Sequence, residues 1–125
     1  MPSDHLLIQT EILKLPPEMQ NLLYACARTL AAKGADYAHE QDRLANFNEG
    51  ATYLGLNPEQ VWGVYVWKHV ASIFKYCRSL KNESEPTWKR VMDVVVYLLL
   101  FVLFLKKRDQ ALPPEPGSYD VGKDS

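Results

Sequence analysis

PTWKRVMDVVVYLLLFVLFLKKR, residues 86–108, is the stretch whose reading decides the fold. From Val94 to Leu105 it carries twelve consecutive apolar residues, and only Tyr97 has a polar tip. A helix that is apolar on every side must be covered on every side. Asp93 stands at the edge of that run, one turn after Arg90 and one turn before Tyr97. A carboxylate there must be paired, protonated or bound to something. As a membrane span the run is too short. Twelve residues rise roughly 18 Å, against about 30 Å of hydrocarbon. Extending it backward brings in Asp93, Arg90 and Lys89, each costly in lipid. A central buried helix is therefore expected, with no membrane association.

The rest of the chain supplies cover for it. At 125 residues the length suits one domain. The formal net charge of −1 gives no basic field to attract nucleic acid. Cys26 and Cys77 lack metal-ligand spacing and sit on apolar stripes, so buried free thiols in a reducing compartment are expected. The N-terminus MPSDHLLIQTEILK has no basic region or long apolar core, so it does not read as a signal peptide.

In order, Ser3 or Asp4 is placed to cap a brief helix ending before Pro16. Pro17 suits the first position of the next helix, Glu18 its positive dipole end, and Gly34 a stop. Met19, Leu22, Leu23, Cys26, Ala27 and Leu30 form its apolar stripe. A polar connection, GADYAHEQDRL, covers 34–44. A short helix from Ala45 to Leu54 stops at Gly55. Asn57, Pro58 and Gln60 then open a long one with a capping box. That helix runs to about Leu80 and carries Trp62, Tyr65, Val66, His69, Ile73, Tyr76, Cys77 and Leu80 on one face. Lys68, Ser72, Lys75 and Ser79 line another. Ser84 or Glu85 is expected to cap the last helix. Residues 109–125 are rich in proline, glycine and charge and read as a disordered tail after a single helical domain, 1–108. The fold class expected is all-α: a small antiparallel helical bundle, completed by a second subunit because the chain is short of cover.

Three groups of residues point to chemistry. Arg90, Asp93 and Tyr97 share a helix face, where Asp93 either pairs with Arg90 or orients Lys68, a cation or a ligand. Lys68, Ser72 and Lys75 put two cations and a hydroxyl on one side, as a phosphate requires; the plain alternative is a solvated face. Asp36 and Glu40 share a face if their connection is helical, and with Asp93 they offer oxygens to Mg²⁺. His69, on the apolar stripe, reads as a satisfied core histidine. No glycine-rich phosphate loop, zinc spacing or nucleophile elbow is present.

The order KGADYAHEQDRLANF, LGLNPEQVWGVYVWKHVASI, ESEPTWKRVMDVVVYLLL resembles phage and prophage nucleotide modification associated domain proteins of the first type. The features that carry the likeness are Asp36-Tyr37, Asn46-Phe47, Leu54-Gly55-Leu56 with Pro58-Glu59, Lys68 with Ser72, Glu83-Ser84-Glu85, and Asp93 with Tyr97. The resemblance implies a nucleotide-associated protein of the bacterial cytoplasm, acting in phage nucleotide or DNA-modification metabolism. Residues 91–100, VMDVVVYLLL, also look like the last metal-binding helix of the all-α MazG-like nucleoside triphosphate pyrophosphatases. Those hold Mg²⁺ with an EExxE and an ExxD set. Asp93 matches the last aspartate, but Arg90 stands where the glutamate belongs, and no EExxE exists in the chain.

The expectation that follows is a nucleotide site. Lys68, with Ser72 beside it, would hold phosphate, and Tyr37 or Phe47 would stack on the base. Asp36, Asn46 and Asp93 would fix polar groups or a cation, and Arg90 and Tyr97 join the substrate-binding set. If the protein turns substrate over, Asp93 and Asp36 are the catalytic candidates, with Mg²⁺ held by Asp36, Glu40 and Asp93. The alternative is a non-catalytic module that sequesters a nucleotide or binds a host protein.

Overall fold

The computed structural model describes residues 10–36 and 43–114; the side chains of 33–36 are not described. Its elements are α1 (Pro17–Asp36), α2 (Ala45–Leu54), α3 (Pro58–Ser79) and α4 (Thr87–Lys107), with no strand among the described residues. Residues 10–13 are also helical, and Gln20 Nε2 ties the turn after them to α1 by donating to Leu15 O at 2.7 Å. The fold is all-α, as the periodicity requires.

Local chemistry sets most boundaries. α1 runs through Gly34 to Asp36 instead of stopping at the glycine. One glycine in a helix costs only about 1 kcal/mol relative to alanine, so it does not by itself end one. α2 ends where expected: Gly55 adopts the left-handed conformation at φ 68°, and Leu56 N–H returns to Ala51 O at 3.2 Å. The capping box of α3 is complete. Gln60 N–H donates to Asn57 Oδ1 at 2.9 Å, and Asn57 N–H donates to Gln60 Oε1 at 3.0 Å. Asn57→Ala is expected to cost about 1 kcal/mol, read as a lowered urea midpoint with an unchanged slope.

The start of α4 departs from expectation. Neither Ser84 nor Glu85 caps it; Asn82 reaches across the turn, and its Oδ1 accepts from Thr87 N–H at 3.0 Å and Thr87 Oγ1–H at 2.7 Å. An amide side chain five residues upstream does what a cap at the boundary would do.

α3 and α4 form an antiparallel hairpin. Glu59 meets Arg108 at one end, the Trp62 and Phe101 rings meet at a tilt with centroids 4.5 Å apart, and His69 faces Asp93 further along. The Trp62 indole N–H also donates to Tyr97 O at 2.8 Å. α2 packs on α3, and α1 packs on α4. The core joins Leu44, Phe47, Ala51, Val61 and Phe104, with Trp62, Tyr97, Leu100, Phe101 and Leu103 around it. Gly50 permits the close α2–α3 approach, because a Cβ there would meet Val61 Cγ1 at 3.1 Å.

Cover is thinner than the composition suggests. In α4 only Val96 and Phe104 are buried, and Leu98 and Leu99 are exposed. Among the described side chains of α1 only Cys26 is buried, whereas Met19, Leu23 and Ala27 of the expected stripe are exposed; α4 is the main helix that α1 packs on. Cys77 is exposed as well, contrary to its expected burial. It falls on the side of α3 turned away from the core. No helix among the described residues is long and apolar enough to cross a membrane.

The hairpin's open end is closed by a forked ion pair. Arg108 Nε and Nη2 donate to the two carboxylate oxygens of Glu59 at 3.0 and 3.1 Å. The Arg108 hydrogen bond, helped by a backbone hydrogen bond and then by the Arg108 charge, outweighs desolvation and holds the Glu59 carboxyl below its ordinary range. A depressed carboxyl stabilises the fold above its unfolded value and loses that contribution as pH falls through the folded one. Glu59→Gln should therefore lower Tm near about pH 7, and the difference should shrink as pH falls through the depressed folded-state value.

Candidate functional site

The polar residues that come together lie on the facing sides of α3 and α4. His69 Nδ1 is 3.4 Å from Asp93 Oδ2 and also 3.4 Å from Arg90 Nη1. Arg90 Nη2 lies 3.5 Å from Glu85 Oε2 in the preceding turn. The Tyr97 ring lies against the His69 ring with centroids 5.4 Å apart. The sequence places this set by period. Positions 90, 93 and 97 share a face of α4, and His69 projects from α3 toward them. His69, Arg90 and Asp93 are all partly buried, so solvent screens them less than a surface pair.

The two contacts of His69 Nδ1 exclude each other. A guanidinium only donates, so its hydrogen bond needs a bare Nδ1, which means the neutral ring protonated at Nε2. A strong contact to the Asp93 carboxylate needs a proton on Nδ1. A proton on Nδ1, in the charged ring or in the neutral Nδ1–H tautomer, selects Asp93, and a bare Nδ1 selects Arg90. Asp93 also acts on α1. The Cys26 thiol is raised above its ordinary value, first by burial and then by the Asp93 charge, so it stays protonated and unreactive.

Other expected site residues are distributed differently. Asp93 pairs with His69 instead of Arg90 or Lys68, because His69 projects into the hairpin while Lys68, one position before it, is exposed. Ser72 Oγ–H donates to Glu83 Oε1 at 3.3 Å, and Lys75 Nζ is 3.6 Å from Glu83 Oε2. The acidic turn therefore occupies two of the three groups expected to face a phosphate. Phe47 is 4% exposed, with Tyr65, Tyr97 and Phe104 around its ring at 5.5, 6.2 and 5.8 Å, which leaves no free face for a base. Asn46 is exposed at the start of α2. Tyr37 and Glu40 lie outside the described residues, as does the side chain of Asp36. Of the expected Mg²⁺ set only Asp93 can be placed, and among the described residues no three metal-binding side chains converge.

Sequence reasoning missed two features. His69 was read as a core residue, although a histidine four residues before Ile73 on the hairpin face already stood opposite the Arg90–Asp93 stripe. The second is a pair of grooves between α1 and α4 of about 420 and 380 Å³. They share Ala25 and the half-exposed Trp88, and Arg28 lines the second. No local pattern marks them, because they arise from how α1 crosses α4. No family model, curated protein or solved structure matches this chain.

Proposed function

We propose that this chain is a nucleotide-binding helical protein of the phage nucleotide-modification type, with its site at the His69–Arg90–Asp93 cluster. The observation that carries the reading is that cluster itself: a guanidinium, an imidazole and a carboxylate, partly buried on one hairpin and adjoining exposed Lys68. Arg90 offers a planar fork suited to phosphate, and Lys68 a mobile point charge beside it. Asp93 and His69 provide acceptors for base or sugar groups. The ordered likeness of residues 33–106 to the phage family supports the same reading, and a bacterial cytoplasmic setting and a second subunit belong to it.

Binding without turnover is the second reading, and Arg90 favours it. A guanidinium one turn from Asp93 repels a divalent cation where a metal-dependent hydrolase needs a carboxylate. A panel of nucleotides, each with and without Mg²⁺, tests both readings by thermal shift and product analysis. Arg90→Ala should weaken binding about tenfold or more, as expected for loss of a charge-assisted contact. Turnover abolished in Asp93→Asn selects the enzyme, and recovery of intact nucleotide from the denatured complex selects the binder. A panel in which no nucleotide shifts Tm sinks both.

A further inference from the structure

The turn that joins α3 to α4 carries two carboxylates, and both rest on donors along the hairpin. Glu83 Oε1 accepts from Ser72 Oγ–H at 3.3 Å, and its Oε2 lies 3.6 Å from Lys75 Nζ. Glu85 Oε2 lies 3.5 Å from Arg90 Nη2, while Arg90 Nη1 reaches His69 Nδ1. His69, Ser72 and Lys75 follow one another at three-residue steps, so the row from Arg90 to Lys75 extends roughly 9 Å along α3. Neither carboxylate is needed to hold the turn. Asn82 Oδ1 already accepts from both Thr87 donors, and Ser79 Oγ accepts from Lys81 N–H at 3.2 Å. The carboxylate contacts are also slack. Charge-assisted hydrogen bonds run about 2.7–2.9 Å, and the Glu59–Arg108 fork of this same hairpin uses two oxygens at 3.0 and 3.1 Å. Arg90 gives Glu85 a single nitrogen of its fork, at 3.5 Å. The turn thus holds two like charges close together against a cationic row, half-exposed and without tight bonds.

We infer that Glu83 and Glu85 stand in for the linked phosphates of a nucleoside di- or triphosphate, which takes Ser72, Lys75 and Arg90 from them. The inference rests on the nucleotide reading of the Arg90 cluster, and adds to it a substrate class and an internal competitor. A row with cations at both ends and a hydroxyl between them matches anionic groups joined in a chain. A monophosphate reaches one end and leaves the other carboxylate in place. A terminal phosphate offers three acceptor oxygens where a carboxylate offers two, and its geometry lets a guanidinium donate through both arms. Releasing the carboxylates to water costs little, since both pairs already lie at the surface.

Isothermal titration calorimetry of the full chain tests this with inorganic tripolyphosphate, the common nucleoside triphosphates and their monophosphates. Glu83→Gln/Glu85→Gln is expected to bind the triphosphates about tenfold or more tighter than wild type, and the monophosphates with little change. Its helicity and urea midpoint should match wild type, because the Asn82 cap remains. Each single substitution should give part of the gain, and Lys75→Gln in the double variant should remove the Glu83 share. Glu18→Gln/Glu49→Gln takes the same charge from exposed sites elsewhere and should leave the affinities near wild type. Nucleotides bound equally by wild type and the double variant overturn the inference and leave the nucleotide reading standing. So does a gain matched by the monophosphates or by the Glu18 and Glu49 control. A gain for tripolyphosphate with no nucleotide bound supports displacement by linked phosphates and sinks the nucleotide reading. If neither protein binds any of these anions, both fall.

Discussion

Phe47→Ala is expected to lower stability by about 3–5 kcal/mol, the largest effect of any single truncation among the described residues. A domain of this size holds about 5–15 kcal/mol in all, so a large part of the margin goes with one ring. The reason is geometric. Phe47 stands where α2, α3 and α4 meet, touching Tyr65 on α3 and both Tyr97 and Phe104 on α4. Removing it leaves a cavity walled by stiff rings that cannot collapse into the space. Phe47→Leu keeps most of the volume and should cost under about 2 kcal/mol. Urea unfolding followed by helicity measures both. The pair also decides the ring's role. If Phe47 stacks on a base, Phe47→Leu loses about 1–3 kcal/mol of nucleotide affinity, the worth of base–aromatic stacking. If it is core, affinity stays and only stability falls. A Phe47→Ala loss below about 1 kcal/mol would show that the helices do not meet at this ring.

What was legible in the sequence was the chemistry that acts within one turn. The Gly55 stop and the Asn57–Gln60 box each depend on residues within four positions, and each was readable. The α4 cap was not, because Asn82 acts from five positions away through a folded turn. The apolar run Val94–Leu105 was read correctly as a helix for which this short chain lacks full cover, but which of its residues stay exposed was not legible. Periodicity reports that a face is apolar, and says nothing of whether this copy of the chain has anything to lay against it. Met19 and Leu23 on α1, like Leu98 and Leu99 on α4, keep their apolar pattern while remaining exposed. For the candidate site, the 90–93–97 stripe was visible as spacing on one helix. Its partner, His69, lies 24 positions before Asp93, and only the antiparallel pairing of α3 and α4 joins them.

The second large effect is expected at that junction, in the coupling of His69 to its two neighbours. Asp93→Ala should cost about 1–3 kcal/mol, because it strips a partly buried histidine of its carboxylate. Asp93→Asn should cost less, since the amide oxygen can still accept from Nδ1–H. The sharper measurement is a double-mutant cycle at two pH values on either side of the range in which histidines titrate. With the ring protonated, Nδ1–H faces the Asp93 carboxylate and Arg90 is repelled. The His69–Asp93 coupling should then be favourable by about 1–2 kcal/mol, and the His69–Arg90 coupling unfavourable. With the ring neutral, Nδ1 is free to accept from Arg90, so the first coupling shrinks and the second changes sign. Couplings of equal size at both pH values would mean that the Nδ1 proton is fixed and the choice of partner does not exist. The same variants separate site from scaffold. Stability lost in Asp93→Asn while nucleotide shifts persist makes the cluster a clamp between α3 and α4. Stability retained while those shifts vanish makes Asp93 a ligand contact, because a carboxylate that only braces two helices has no means of discriminating between nucleotides.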